Sequence, residues 1–182
     1  MNKVNCYCKF IVGLCSALRY KITELPLQSL VYLALPDDLK GLYYVFNPKN
    51  YLYSKEVDYV ETLIRNTPHA LNTFECENIN DNVLKTELQD FKRRSKIVIG
   101  FLFENGLFNH IEMVDVFSCI YYFYHKALVN NHKTYEKIKS YIEAQLTNYE
   151  LNEILEMPHK QIKHLIELCI KLDKRLICDL IV

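Results

Sequence analysis

The chain lacks tryptophan altogether and holds only four glycines in 182 residues, against about 7% glycine in an average protein. A Gly-rich phosphate loop, a nucleophile elbow or a hairpin-rich barrel would each want more of them. Net charge is missing as well, because 22 Lys and Arg balance 22 Asp and Glu. That balance excludes a polybasic chain held to nucleic acid by blanket phosphate neutralisation. No apolar run approaches the ~18 residues that a membrane-spanning helix requires. What is plentiful is core material. Half of the residues (50%) are hydrophobic and 24% are charged, which is the composition of a folded chain rather than a disordered one.

The seven cysteines, Cys6, Cys8, Cys15, Cys76, Cys119, Cys169 and Cys178, form an odd set without a repeated short spacing. A secreted disulfide framework usually has an even set in a shorter chain. Cys15, Cys119 and Cys169 sit among apolar residues at helical spacing, where a thiol behaves as a small hydrophobe. The expected compartment is therefore reducing: the cytosol, or the nucleus. Lys3 and Lys9 followed by the run Phe10 to Leu18 imitate a signal peptide, whose removal would imply a secreted helical protein. The same residues also read as an amphipathic helix.

Helical periodicity dominates the chain. Val4, Tyr7, Ile11, Leu14, Cys15 and Leu18 share one face of a first helix. Thr23 and Pro26 restart the chain, and Leu27, Leu30, Val31 and Ala34 line a second helix closed by Pro36. Asp38 caps a third that runs through Leu42 and Tyr43 to Phe46 and stops at Asn47-Pro48; Ser54 caps a fourth carrying Val57, Val60 and Ile64. Residues 66–81 read as a loop. Leu84, Leu88, Phe91, Ser95, Val98 and Leu102 then mark a long helix stopped by Asn105-Gly106. Asn109 with Glu112, and Thr147 with Glu150, look like capping boxes. Met113, Phe117, Ile120, Tyr124 and Leu128 line one further helix, ended by Asn130-Asn131, and Ile138, Tyr141, Ile142 and Leu146 line the next. After Pro158 the stripe Ile162, Leu165, Ile166, Cys169, Leu172, Leu176 and Leu180 closes the chain. Gly41–Phe46 and Ile120–Tyr124 are rich enough in Tyr and Phe to admit strands locally, although both lie within longer helical patterns. The expected fold is all-α: a single helical domain over residues 1–182, with about nine or ten helices in antiparallel hairpins, arranged as a HEAT-like α-solenoid.

Chemistry is sparse. The closest pair of the six histidines, His159 and His164, is five apart and misses the i, i+4 geometry of a helical zinc pair. Cys6-x-Cys8 has no matching second pair. The carboxylates are spread singly along polar faces, so the expectation is a non-enzymatic protein without metal or cofactor. One dense basic cluster remains: Lys92, Arg93, Arg94 and Lys96. Read plainly, it is a solvated helix face paired with Glu87 and Asp90. Read more sharply, it is a contact for RNA phosphate or an acidic partner. Phe91, Phe101 and Phe103 nearby fit a core better than a base-stacking platform.

Two stretches resemble a known family. Leu18 to Leu35, followed by Leu39-Lys-Gly-Leu42 and Val45-Phe46, is similar to the opening of the HEAT-type middle domain of translation initiation factor 4 gamma. Phe91 to Phe108, with Ile99-Gly100-Phe101-Leu102-Phe103 at its centre, resembles that family's Arg-rich helix and the run after it. The chain departs from the family where Phe101 stands in place of a Glu, in a shorter acidic insert, and in a merely generic final third. The resemblance implies a HEAT-repeat crescent that docks a DEAD-box RNA helicase of the initiation factor 4A type and touches RNA. Its setting would be mRNA translation initiation or another branch of mRNA metabolism. A competing reading is a small helical-bundle interaction protein, such as a virus-encoded Bcl-2-like inhibitor of apoptosis or signalling. It needs a central hydrophobic helix and a groove for an amphipathic peptide.

Overall fold

The computed structural model describes residues 3–19, 21, 24–47, 49, 51–74, 76 and 82–178. Thr23, Pro48, Leu180 and most of 75–81, used above as a restart, a stop, a stripe residue and a loop, lie outside them. Among the described residues nine α-helices carry the chain: α1 Lys3–Ala17, α2 Leu27–Ala34, α3 Asp37–Tyr43, α4 Lys55–Asn66, α5 Asn82–Glu104, α6 Ile111–Val129, α7 Tyr135–Asn148, α8 Asn152–Leu155 and α9 His159–Cys178. Short 3-10 turns cover Pro68–Thr73 and Leu107–Asn109. The fold is predominantly helical, as the periodicity predicts.

It is not wholly so. The third helix stops at Tyr43 rather than Phe46, and Val45–Asn47 (β1) pairs with Tyr51–Tyr53 (β2) as a two-stranded sheet. Alternating Tyr, Val and Phe suit a pleated surface better than a helix once Pro48 interrupts the pattern. At Ile120–Tyr124 the helical reading holds, inside α6. Ser54 caps α4 as expected, its hydroxyl accepting from the Val57 N–H. The two capping boxes do not form. Asn109 ends a 3-10 turn, with His110 between it and α6. Thr147 lies within α7, where its hydroxyl donates to the Glu143 carbonyl. Both motifs sit where an already closed turn satisfies the backbone.

The contacts fall into two compact units, residues 1–46 with 52–114, and residues 47–51 with 115–182. In the first, α2 is the hub: Leu27, Ser29, Leu30, Val31, Tyr32, Leu33 and Ala34 are all buried. Seven of its eight residues face protein because α1, α4 and α5 all pack on it. Helix α1 also packs on α4 and α5, burying Tyr7 and Ile11 completely. In a solenoid each repeat touches only its neighbours. The α1–α5 contact joins elements some 80 residues apart, and hydrogen bonds tie it. Glu87 accepts from Lys3 at 2.6 Å and from the Tyr7 hydroxyl. Glu87 thus serves α1 rather than the basic cluster. The Gln28 side chain brackets Ser54, donating to its carbonyl and accepting from its N–H, which fixes α2 against the start of α4.

The second unit is built on Phe117, Cys119, Ile120, Tyr121 and Phe123 of α6, Ile138, Ile142 and Leu146 of α7, Ile154 of α8, and the α9 stripe from Ile162 to Leu176. Asn130-Asn131 ends α6 as expected, with Asn131 in the left-handed conformation at φ 62°.

Candidate interaction site

Helix α5 carries the basic cluster, and the fold divides its four members. Lys92 and Lys96 are one turn apart and exposed. Arg93 is half-buried and committed to Asp90, its Nη2 donating at 2.8 Å. Arg94 is only 8% exposed. Its Nε and Nη2 donate to the carbonyls of Ala34 and Leu35 at 3.1 and 3.2 Å. It belongs to the core, not to the surface.

The reason is helical phase. Phe91, Arg94, Ser95, Val98 and Leu102 share the buried stripe, so a residue three after Phe91 points inward while those one and five after it point outward. Lys92 Nζ lies 5.6 Å from the ring centroid of Phe10, a cation–π contact that leaves its charge toward solvent. Neither Lys92 nor Lys96 has a carboxylate partner among the described residues. Phe91 stacks on Tyr7 with centroids 4.2 Å apart, and Phe101 is buried. Phe103, expected in the core, is 59% exposed instead. Gly100 has nothing within 4 Å of an added Cβ, so no close helix approach requires glycine there.

Two arrangements escaped the sequence reading. Asp173 on α9 accepts from the Tyr121 hydroxyl at 2.6 Å and the Tyr124 hydroxyl at 3.2 Å, and lies 3.1 Å from His125 Nε2. The i, i+3, i+4 spacing of Tyr121, Tyr124 and His125 was the available signal. Three anchors around one partly buried carboxylate make a fastening between α6 and α9 rather than a free base. Cys169, one turn before Asp173, is fully buried, and burial pushes its thiol well up, so it is a poor nucleophile.

The second is a disulfide between Cys6 and Cys76, a pair that the cysteine spacing did not single out. The two residues are 70 apart in sequence, and beside them the Lys9 ammonium donates to the Phe74 carbonyl at 2.8 Å. Cys8, Cys15, Cys119 and Cys169 are free and buried. Burial pushes the Cys15 thiol up to about 12, and the other three upward too. Among the described residues no group of three or more His, Cys, Asp and Glu could hold a metal ion, and no helix is long and apolar enough to cross a membrane. Compared with known proteins, the chain matches no family model, no curated protein and no solved structure.

Proposed function

We propose that the chain is a non-catalytic interaction module that meets an acidic macromolecular partner through the outward cations of α5. The observation that carries this reading is the division of charge along that helix. Arg94 holds the end of α2, while Lys92 and Lys96 stand exposed on a helix anchored by the core beneath them. A positive spot on a rigid base loses little entropy on binding and attracts phosphate or carboxylate over a Debye length. The segment resemblance supplies the partner class: a DEAD-box RNA helicase of the initiation factor 4A type, with RNA as a second contact, in cytoplasmic mRNA translation or mRNA metabolism. A scaffold of this kind acts by favouring one arrangement of the helicase lobes, without chemistry of its own.

Pull-down with purified helicase, with and without RNA and an ATP analogue, tests the partner. Retention that weakens with salt, and falls in the Lys92→Glu/Lys96→Glu chain, is expected. No retention of helicase by the wild type overturns the partner, and unchanged retention by the double variant overturns the α5 face.

One observation favours the competing bundle reading. Helix α2 is enclosed by α1, α4 and α5, as a central helix would be, although it is only eight residues long. In that case the ligand is an amphipathic helical peptide, and a set of such peptides should bind where helicase does not.

A further inference from the structure

We propose that Cys6 and Cys76 are a redox-active pair that exchanges with a small anionic disulfide of the glutathione class, and so clasps or releases the junction between α1 and the chain at Phe74 and Cys76. The pairing is set by the backbone, which brings the two Cα atoms to 5.6 Å, within the range a disulfide spans. A cavity lined by both members separates this pair from the remaining cysteines. Cys8, Cys15, Cys119 and Cys169 are buried in apolar surroundings, and the exposed Cys178 ends α9 in the other unit. Cys6 and Cys76 instead line a cavity of about 260 Å³, with Lys9 and Lys92 on its walls. Gly13 is also on the wall.

The charges suit the chemistry. The positive charge that Lys9 and Lys92 bring to the cavity wall favours thiolate and draws in a reagent carrying carboxylates. Cys76 is half-buried and Cys6 buried, so Cys76 is the sulfur that meets the reagent. In the oxidising direction the Cys76 thiolate attacks one sulfur of the small disulfide, that S–S bond breaks, and one small thiolate leaves. The Cys6 thiolate then attacks the Cys76 sulfur of the mixed disulfide and expels the second small thiolate. Two electrons pass from the protein dithiol to the reagent, and its two protons end on the two released thiols. Reduction runs the same steps backwards.

Closing a loop across 70 positions restricts the unfolded chain strongly. The oxidised form should melt about 5–15 °C above the reduced one.

The test equilibrates the full chain in buffers of graded reduced to oxidised glutathione, then quenches with acid, labels free thiols with maleimide and maps peptides by mass. Cys6 and Cys76 are expected to lose label together and appear as one cross-linked peptide lacking two hydrogens, in wild type and in Cys178→Ser alike. In Cys76→Ser the cross-link is absent. Full labelling of both cysteines in the folded wild type under excess oxidised glutathione overturns the proposal, as does cross-linking of either one to Cys178. Lys92→Gln should slow the reaction with glutathione disulfide more than that with uncharged hydroxyethyl disulfide. An equal effect on the two reagents, or none, removes the anionic class of reagent.

Discussion

Arg94 Nε lies 3.1 Å from the carbonyl oxygen of Ala34, sixty positions earlier in the chain. Its Nη2 reaches the next carbonyl, that of Leu35. These are the closing carbonyls of α2, which no later turn of the same helix satisfies. A guanidinium also complements the negative end of the helix dipole. The cation at the heart of the basic cluster is thus the C-terminal partner of the most enclosed helix in its unit.

Replacing Arg94 with Leu should therefore unfold the chain more readily, by about 2–4 kcal/mol, because two buried carbonyls lose charge-assisted hydrogen bonds. Arg94→Lys should recover only part of this, since a single ammonium cannot reproduce the planar fork. Lys96→Ala, at an exposed position, should stay within about 0.5 kcal/mol of wild type. Urea unfolding followed by circular dichroism reads all three. Equal tolerance at 94 and 96 would contradict the core role.

The Asp173 fastening gives a second expectation. Asp173→Ala should cost about 1–3 kcal/mol, because the buried Tyr121 and Tyr124 hydroxyls on α6 lose this acceptor. Tyr121→Phe alone should cost less. Their combination should depart from additivity by about 0.5–3 kcal/mol, as contacting residues in one network do. A double-mutant cycle measured at equilibrium decides it, and strict additivity would mean that the two groups act independently.

The glycines make a paired test. Gly100 lies inside α5 with open space where a Cβ would stand, so Gly100→Ala should stabilise the chain by about 0.5–1 kcal/mol. Gly106 sits at φ 71°, beyond the end of α5, and an added Cβ would meet Asn109 Nδ2 at 3.4 Å. Gly106→Ala should destabilise by about 1 kcal/mol. Thermal melts of the two variants should move in opposite directions.

Alkaline pH should weaken the fold. Burial raises the thiols of Cys8, Cys15, Cys119 and Cys169 above their ordinary value of 9.0. Burial likewise raises the hydroxyls of Tyr7 and Tyr44, and pushes Tyr51 up to about 12, above the ordinary 10.0. Above pH 9 the unfolded chain therefore holds fewer protons than the folded one, and stability falls as pH rises. The neutral forms contribute fully below pH 9, and the share from Tyr51 is lost between 10 and about 12. Melting temperature measured from pH 7 to 11 should be flat at first and then drop, with tyrosine ionisation at 295 nm following unfolding.

Most of the helices were legible because their evidence is local. Phe91, Ser95, Val98 and Leu102 announce α5 through spacing alone, Ser54 announces the start of α4, and Asn131 the end of α6. The β1–β2 pair was half legible: the Tyr and Phe bias was visible, while the pairing depends on where the chain turns. Which helices meet was not legible: α1 lies against α5, a contact whose partners are separated by most of the unit.

What the sequence determined by itself is the helical class, the apolar stripes and the punctuation between elements, since each follows from propensity and a period of 3.6. What only the tertiary structure decided is which polar groups are held by the fold. Arg94 and Lys96 are two positions apart in the same basic run, yet one closes α2 and the other faces water. Cys6 and Cys8 are equally close, yet one bonds to Cys76 and the other is a buried thiol. Residue type and spacing do not distinguish the members of such pairs. The partner that does is brought alongside only when distant segments pack.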